Sequence, residues 1–259
     1  SNDDATWVIG VGQVDVTFAS SPISFTLTGI NDLIGGDFVD TFIFTALGEL
    51  NGTIDGGGTA SSLTGTRDII DISAKGGGNV IDLSPDNSVP GTYDLINGGG
   101  GSSFLTVGFI GIEEFIGDGD SLISEAVSTT WTIDGADEGS SGSGIVFEGF
   151  SDLTGSTFDD TFIFETGGSL SGVLNAGTGT DTIDISQIVG ANTVNLQTTT
   201  ISGLGGVSVN LDYQNAETFI GDNTADVLTV LDGGVTVNIT GQNDGDVAGN
   251  TFTDFPNIN

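Results

Sequence analysis

The sequence predicts an all-β protein, a parallel β-solenoid of the β-helix or β-roll kind, with about 21 residues per coil and around 12 coils. Three observations predict it. Apolar positions recur at that spacing, short strands alternate strictly between apolar and polar residues, and glycine- and aspartate-rich turns separate them.

The spacing is read from Leu33, Ile54, Ile96, Phe115, Ile133, Leu153, Leu174, Leu196, Phe219 and Ile239, which open glycine-rich turns. Halfway between them lie further apolar pairs, Phe162/Phe164, Ile183/Ile185, Val207/Val209 and Leu228/Val230. Within the strands, Ile183-Asp184-Ile185-Ser186 and Val194-Asn195-Leu196-Gln197 read in-out-in-out, the signature of a half-buried strand. Helix signals are missing. No stretch keeps apolar residues at i, i+3, i+4 and i+7, and the acids are mostly aspartate, a turn former.

A longer repeat organises the chain into one continuous solenoid over residues 1–259. Ile30-Asn31-Asp32-Leu33-Ile34-Gly35 through Asp40-Thr41-Phe42-Ile43-Phe44 returns as Phe150-Ser151-Asp152-Leu153-Thr154-Gly155 through Asp160-Thr161-Phe162-Ile163-Phe164. Asp68-Ile69-Ile70-Asp71-Ile72-Ser73 returns as Asp181-Thr182-Ile183-Asp184-Ile185-Ser186, and Phe115-Ile116-Gly117-Asp118 as Phe219-Ile220-Gly221-Asp222. Trp7 pairs with Trp131. The copies span approximately 7–130 and 131–236, with a partial third over 237–259, and insertions such as Ala60–Thr66 shift their offsets.

Composition then removes whole classes of function. The chain has 259 residues, 44 of them glycine, with 2 Lys+Arg against 36 Asp+Glu and a formal net charge of −34. Such a surface cannot neutralise phosphates, which excludes nucleic acid and anionic membrane faces as partners. A mean hydropathy of +0.18 with 16 Phe argues against a disordered acidic tail. Without His, Cys or Met, zinc and copper sites, thiol catalysis and Ser-His-Asp triads lose their usual groups. No apolar run approaches the roughly 20 residues of a membrane helix, so no membrane insertion is expected.

The turns carry the remaining chemistry. Gly177-Thr178-Gly179-Thr180-Asp181-Thr182-Ile183 and Gly155-Ser156-Thr157-Phe158-Asp159-Asp160-Thr161-Phe162 place an aspartate just before a strand. Asp40, Asp68, Asp160, Asp181 and Asp226 share that place. Two readings stand for them. They cap turns through side-chain to backbone hydrogen bonds, or they ligate calcium, because glycines let carbonyls converge while stacked carboxylates complete an oxygen cage. The pattern resembles one unit of the RTX, or haemolysin-type, calcium-binding nonapeptide, although the units here are not in tandem and Ala176, Ser156, Phe38 and Phe158 replace glycines.

The wider phrase order, from Trp-x-Ile through Asp-Thr-Phe-x-Phe and Asp-Thr-Ile-Asp-Ile-Ser to Phe-Ile-Gly, resembles repeats of very large bacterial secreted or surface proteins of filamentous-haemagglutinin-like, autotransporter-like or RTX type. That resemblance implies an extracellular β-solenoid at the cell surface, acting as adhesin, stalk, matrix or filament, and it implies no catalytic residue. The expected function is therefore structural or adhesive, not enzymatic, with Ca2+ as the one cofactor implied.

Self-association is the expected partnership, head to tail or as tandem repeats, because strand patterns begin near Trp7 and run into the third copy without polar caps. Two alternatives stay open. A polysaccharide-active β-helix enzyme would draw on the acid pairs Asp159/Asp160, Glu113/Glu114 or Asp134/Asp137, with Arg67 and Lys75 the only bases. An ice- or carbohydrate-binding module, with a surface glycan as partner, would use threonines such as Thr198-Thr199-Thr200.

Overall fold

In the computed structural model, which describes residues 3–58, 67–84, 94–96, 108–204, 211–230 and 236–259, the chain is all-β with mostly parallel pairing between strands distant in sequence. A 3-10 turn is formed at Ser73–Lys75. Val207, Val209, Val235 and the Ala60–Thr66 insertion lie outside them. Two compact units are formed, Ser1–Ile123 with Gly144–Phe150, and Ser124–Ser143 with Ser151–Asn259.

In the first unit, Ala5–Ile9, Asp40–Phe44, Ile69–Asp71 and the start of Glu114–Ile123 lie side by side in parallel. Their registers place Trp7, Phe42, Ile70 and Phe115 in one inward column, and the Trp7 and Phe42 rings stack at 5.7 Å. Alternation does the sorting: Phe42 and Phe44 are buried, while Thr41 and Ile43 between them stay half-exposed. A separate three-stranded sheet, Leu33–Ile34, Thr53–Asp55 and Gly108–Ile110, stacks Leu33, Ile54 and Phe109. Phe109 meets Phe115 at 5.1 Å, so the two sheets share a core.

Five parallel strands form the corresponding sheet of the second unit: Thr130–Gly135, Thr161–Phe164, Thr182–Asp184, Thr218–Ile220 and Asn250–Thr253. Their inward column, Trp131, Phe162, Ile183, Phe219 and Phe252, is buried throughout. Shorter parallel stacks accompany it, Leu153 on Leu174 on Tyr213, and Val194 on Leu228 on Ile258.

A step of 21 residues is found from Leu33 to Ile54, Leu153 to Leu174 and Phe162 to Ile183. Elsewhere the step is longer, 31 from Trp131 to Phe162, 36 from Ile183 to Phe219 and 33 from Phe219 to Phe252. Antiparallel strands account for the difference. Glu138–Ser141 folds back on Thr130–Gly135, Thr200–Ser202 lies between Thr193–Asn195 and Leu211–Gln214, and Gly245–Val247 lies between Val237–Ile239 and Asn250–Thr253. A hairpin strand and a parallel strand carry the same two-residue alternation, so a count of apolar strands does not separate them.

Replacing Ile183 by Asp puts a charge between Phe162 and Phe219 with no partner, and a loss of about 4 kcal/mol or more is expected by equilibrium unfolding. Ile183→Val, which removes one methyl, should cost only about 1 kcal/mol. Equal melting of Ile183→Asp and the parent would overturn the inward placement.

Candidate functional site

The five aspartates singled out by the turn motif are all buried, at 1% exposure or less, and Asp120 joins them. Burial of a carboxylate is costly unless donors meet it, and here the donors are main-chain N–H groups. In the first unit the Asp40 N–H donates to Asp68 Oδ1 at 2.8 Å, and the Asp68 N–H donates to Glu113 Oε2 at 3.0 Å. Asp40 itself accepts from the Trp7 indole at 3.0 Å and from the Gly36 N–H at 2.5 Å.

The second unit repeats the arrangement. Thr129 N–H donates to Asp160 Oδ1 at 2.6 Å, Asp160 N–H to Asp181 Oδ1 at 2.8 Å, and Asp181 N–H to Glu217 Oε2 at 2.9 Å. Asp68, Glu113, Asp160, Asp181 and Glu217 therefore each take the N–H at the entry to a neighbouring parallel strand, extending the ladder at its start. Asp120 and Asp226 form a second type. Each accepts both the main-chain N–H and the side-chain amide of an asparagine, Asn79 or Asn192, at 2.8–2.9 Å.

Glycine in the turn answers to close approach by the backbone and by this carboxylate, a Cβ on Gly35, Gly56 or Gly155 falling 2.0–2.1 Å from a neighbouring carbonyl oxygen. A Cβ on Gly35, Gly56, Gly117, Gly155 or Gly221 would fall 2.5–2.9 Å from Oδ2 of Asp40, Asp68, Asp120, Asp160 or Asp226. Close approach, not an unusual φ, excludes a side chain at these positions. The residue after the glycine usually completes the acid's shell: Gly36, Asp118, Ser156 and Asp222 donate N–H to Oδ2 of Asp40, Asp120, Asp160 and Asp226.

Asp68 and Asp181 lack that donor. The corresponding N–H groups, of Gly57 and Gly177, turn instead to Asp55 Oδ1 at 2.9 Å and Asn175 Oδ1 at 3.2 Å. Asp181 Oδ2 is left buried with no hydrogen-bond donor. Burial, reinforced by Glu113, Asp40 and Asp55, pushes Asp68 up to about 7. Burial raises Asp181 as well, with Asp160, Glu217 and Asp159 adding to it, and burial raises Asp226.

The acid pairs take structural places too. Glu113 caps Asp68, Glu114 pairs with Arg67 at 3.5 Å, Asp159 accepts the Thr180 N–H at 2.7 Å, and Asp137 accepts the N–H and hydroxyl of Ser171 at 2.6 and 2.7 Å. Lys75 donates to the Gly48 carbonyl at 2.8 Å, beside the Phe44 ring. Among the described residues no group of three or more acidic side chains draws together as a metal centre.

Three participants were not legible. Asp120 is separated from Gly117 by two residues, whereas Asp226 is separated from Gly221 by four, which hides their equivalence. Glu113 and Glu217, which end the two carboxylate series, sit at matching places before Phe115 and Phe219, and that match is the signal that would have found them.

Stability should fall as pH rises. A group whose folded pKa is raised keeps its proton in the native chain after the unfolded chain has released it, so its contribution is complete below about pH 4 and is lost by about pH 7 for Asp68. The melting temperature is expected to decline between pH 4 and pH 8 at high ionic strength. Asp68→Asn keeps an oxygen for the Asp40 N–H and should flatten the decline, whereas the exposed control Asp212→Asn should not. An unchanged slope in Asp68→Asn would refute the assignment.

Comparison of the chain with protein-family models, with characterised proteins and with solved structures finds no match.

Proposed function

We propose that this chain is a structural or adhesive β-solenoid, continuous over its repeats, that works outside the cell by end-to-end self-association and not by catalysis. The observation that carries the reading is a strand edge left unpaired among the described residues. Val237–Ile239 occupies the third-copy position of Ala5–Ile9 and Thr130–Gly135, and Ile133 and Ile239 both face a glycine across their hairpins. The first two strands also have a parallel neighbour, Asp40–Phe44 or Thr161–Phe164, and Ile9 and Ile133 are 0% exposed. Ile239 is 58% exposed, and its strand is paired to Gly245–Val247.

Such an edge is a template for another strand, while the charge of −34 opposes lateral packing, so growth along the strand-stacking direction is favoured. Light scattering should show apparent mass rising with concentration and rising further as salt screens repulsion, with filaments under electron microscopy. A monomer that persists over the whole range overturns the reading.

Calcium belongs to the same proposal, at Asp40, Asp68, Asp160, Asp181 and Asp226. What supports it is the stacking of buried acids and the donorless Asp181 Oδ2. Calcium should raise the melting temperature beyond sodium at equal ionic strength; identical responses would leave screening alone.

One observation favours a second reading, recognition of a regular surface such as ice or a glycan. Thr130, Thr161, Thr182, Thr218 and Thr251 are in register on the non-core face of five successive strands, a methyl and a hydroxyl every ~4.8 Å. The run Thr198-Thr199-Thr200 differs: Thr199 lies in a tight turn at φ 51°. On this reading Thr182→Lys, at the centre of the row, abolishes inhibition of ice recrystallisation or retention on polysaccharide without lowering the melting temperature. Full retention by that variant rejects it.

A further inference from the structure

We infer that Phe25–Ile30 is a docking strand for a second copy of this chain, which it engages along Glu217–Gly221. The inference rests on the self-association reading and names the surfaces that meet. Three segments of the chain share one pattern: Phe25-Thr26-Leu27-Thr28-Gly29-Ile30, Ile145-Val146-Phe147-Glu148-Gly149-Phe150 and Asn250-Thr251-Phe252-Thr253-Asp254-Phe255. Their fifth residues all adopt left-handed backbone, with φ of 68° at Gly29, 77° at Gly149 and 61° at Asp254. The hairpins behind the first and third match as well. Asp15 opposes Thr26 and Val14 opposes Leu27, just as Asp246 opposes Thr251 and Gly245 opposes Phe252.

Two of the three segments are docked. Val146 donates its N–H to the Glu113 carbonyl at 2.8 Å, and Thr251 donates to the Glu217 carbonyl at 2.8 Å. Phe252 lies in register with Phe219, and Gly221 returns a bond from its N–H to the Thr253 carbonyl at 2.9 Å. Phe147, Phe150, Phe252 and Phe255 are buried as a result.

The first segment has the same shape and, among the described residues, no such neighbour. Its strand, Ser21–Thr28, is in register with Gln13–Phe18 along one side, while Phe25 is 52% and Ile30 38% exposed. Gly149 is pressed against the Gly117 carbonyl oxygen, where no Cβ would fit; a Cβ on Gly29 would meet nothing within 4 Å. Gly29 is thus bent for a close approach that nothing within the described residues makes.

The receiving strand has the form Glu-x-Phe-Ile-Gly, present at Glu113–Gly117 and Glu217–Gly221. The second is held by Asn250–Phe255, where Asp254 adopts the left-handed turn without glycine's freedom. An incoming Phe25–Ile30 brings glycine at that turn and no charge. Exchange replaces one strand by its equivalent, with Thr26 N–H on the Glu217 carbonyl and Leu27 beside Phe219. Each copy then offers one donor and one receiver, a heterologous contact that can be repeated from copy to copy.

The chain has no cysteine, so paired cysteines report the register directly. Thr26→Cys with Thr218→Cys should give a ladder of covalent multimers on oxidation, at least tenfold above the out-of-register pair Ser24→Cys with Thr218→Cys. Thr218 and Thr251, whose hydroxyls are 2.9 Å apart, supply the lock: Thr218→Cys with Thr251→Cys closes the receiving strand within one chain and should reduce association at least tenfold, reversibly with reductant. Association that persists through the lock, or crosslinking indifferent to register, overturns the docking assignment and leaves self-association standing. Absence of association in the parent chain removes both. Protection of Phe25–Ile30 from hydrogen exchange only in a tandem fusion, and never between separate chains, also overturns it, in favour of a covalent neighbour.

Discussion

The rest of the molecule depends on one interaction, a buried carboxylate accepting the first main-chain N–H of the neighbouring parallel strand. Parallel strands of three to five residues leave a large share of their N–H groups at strand ends, where an unmet donor is expensive. Asp68, Asp160 and Asp181 meet those donors from inside the stack, whereas Asp40 accepts the Trp7 indole and the Gly36 N–H. A charge-assisted bond is worth roughly 1.5–3 kcal/mol, about twice a neutral one, and it is made where water cannot compete. The same residues fix register, because a strand displaced by one position would leave a carboxylate with no donor and turn its apolar set outward.

That role also explains why the acids differ among themselves. Asp40, Asp160 and Asp226 receive bonds at both oxygens, whereas Asp68 and Asp181 lose one donor to Asp55 or Asn175. The two under-served positions are equivalent in the long repeat, so the imbalance was duplicated along with the fold. Desolvation raises the pKa of both, and raises Asp226 as well despite its bonds at both oxygens.

Much of this was legible in the sequence. Alternation in Thr161-Phe162-Ile163-Phe164 and Thr182-Ile183-Asp184 identifies the strands and the side that is buried, and an aspartate placed between a turn and the strand after it identifies five of the six buried aspartates. Direction was not legible, because Val237–Ile239 in a hairpin and Thr218–Ile220 in a parallel stack present the same two-residue period. Nor could spacing reveal the row from Thr130 to Thr251, whose members lie 31, 21, 36 and 33 residues apart according to the hairpins between them. The difference between Gly29 and Gly149 is likewise one of surroundings, invisible in a motif that both share.

The hairpins between parallel strands have a consequence for how the chain reaches its native state. Closing a loop costs entropy only logarithmically in its length, so the longest parallel step, 55 residues from Ile54 to Phe109, costs about 0.9 kcal/mol more than a step of 21. An inserted hairpin is therefore cheap to accommodate and supplies local antiparallel contacts that form early. Each parallel pair joins segments at most some tens of residues apart, so a unit can order itself progressively, strand upon strand, without waiting for its distant end. Variation in length between strands is thus kinetically tolerable, provided the aspartate that receives the preceding strand's first amide stays in place.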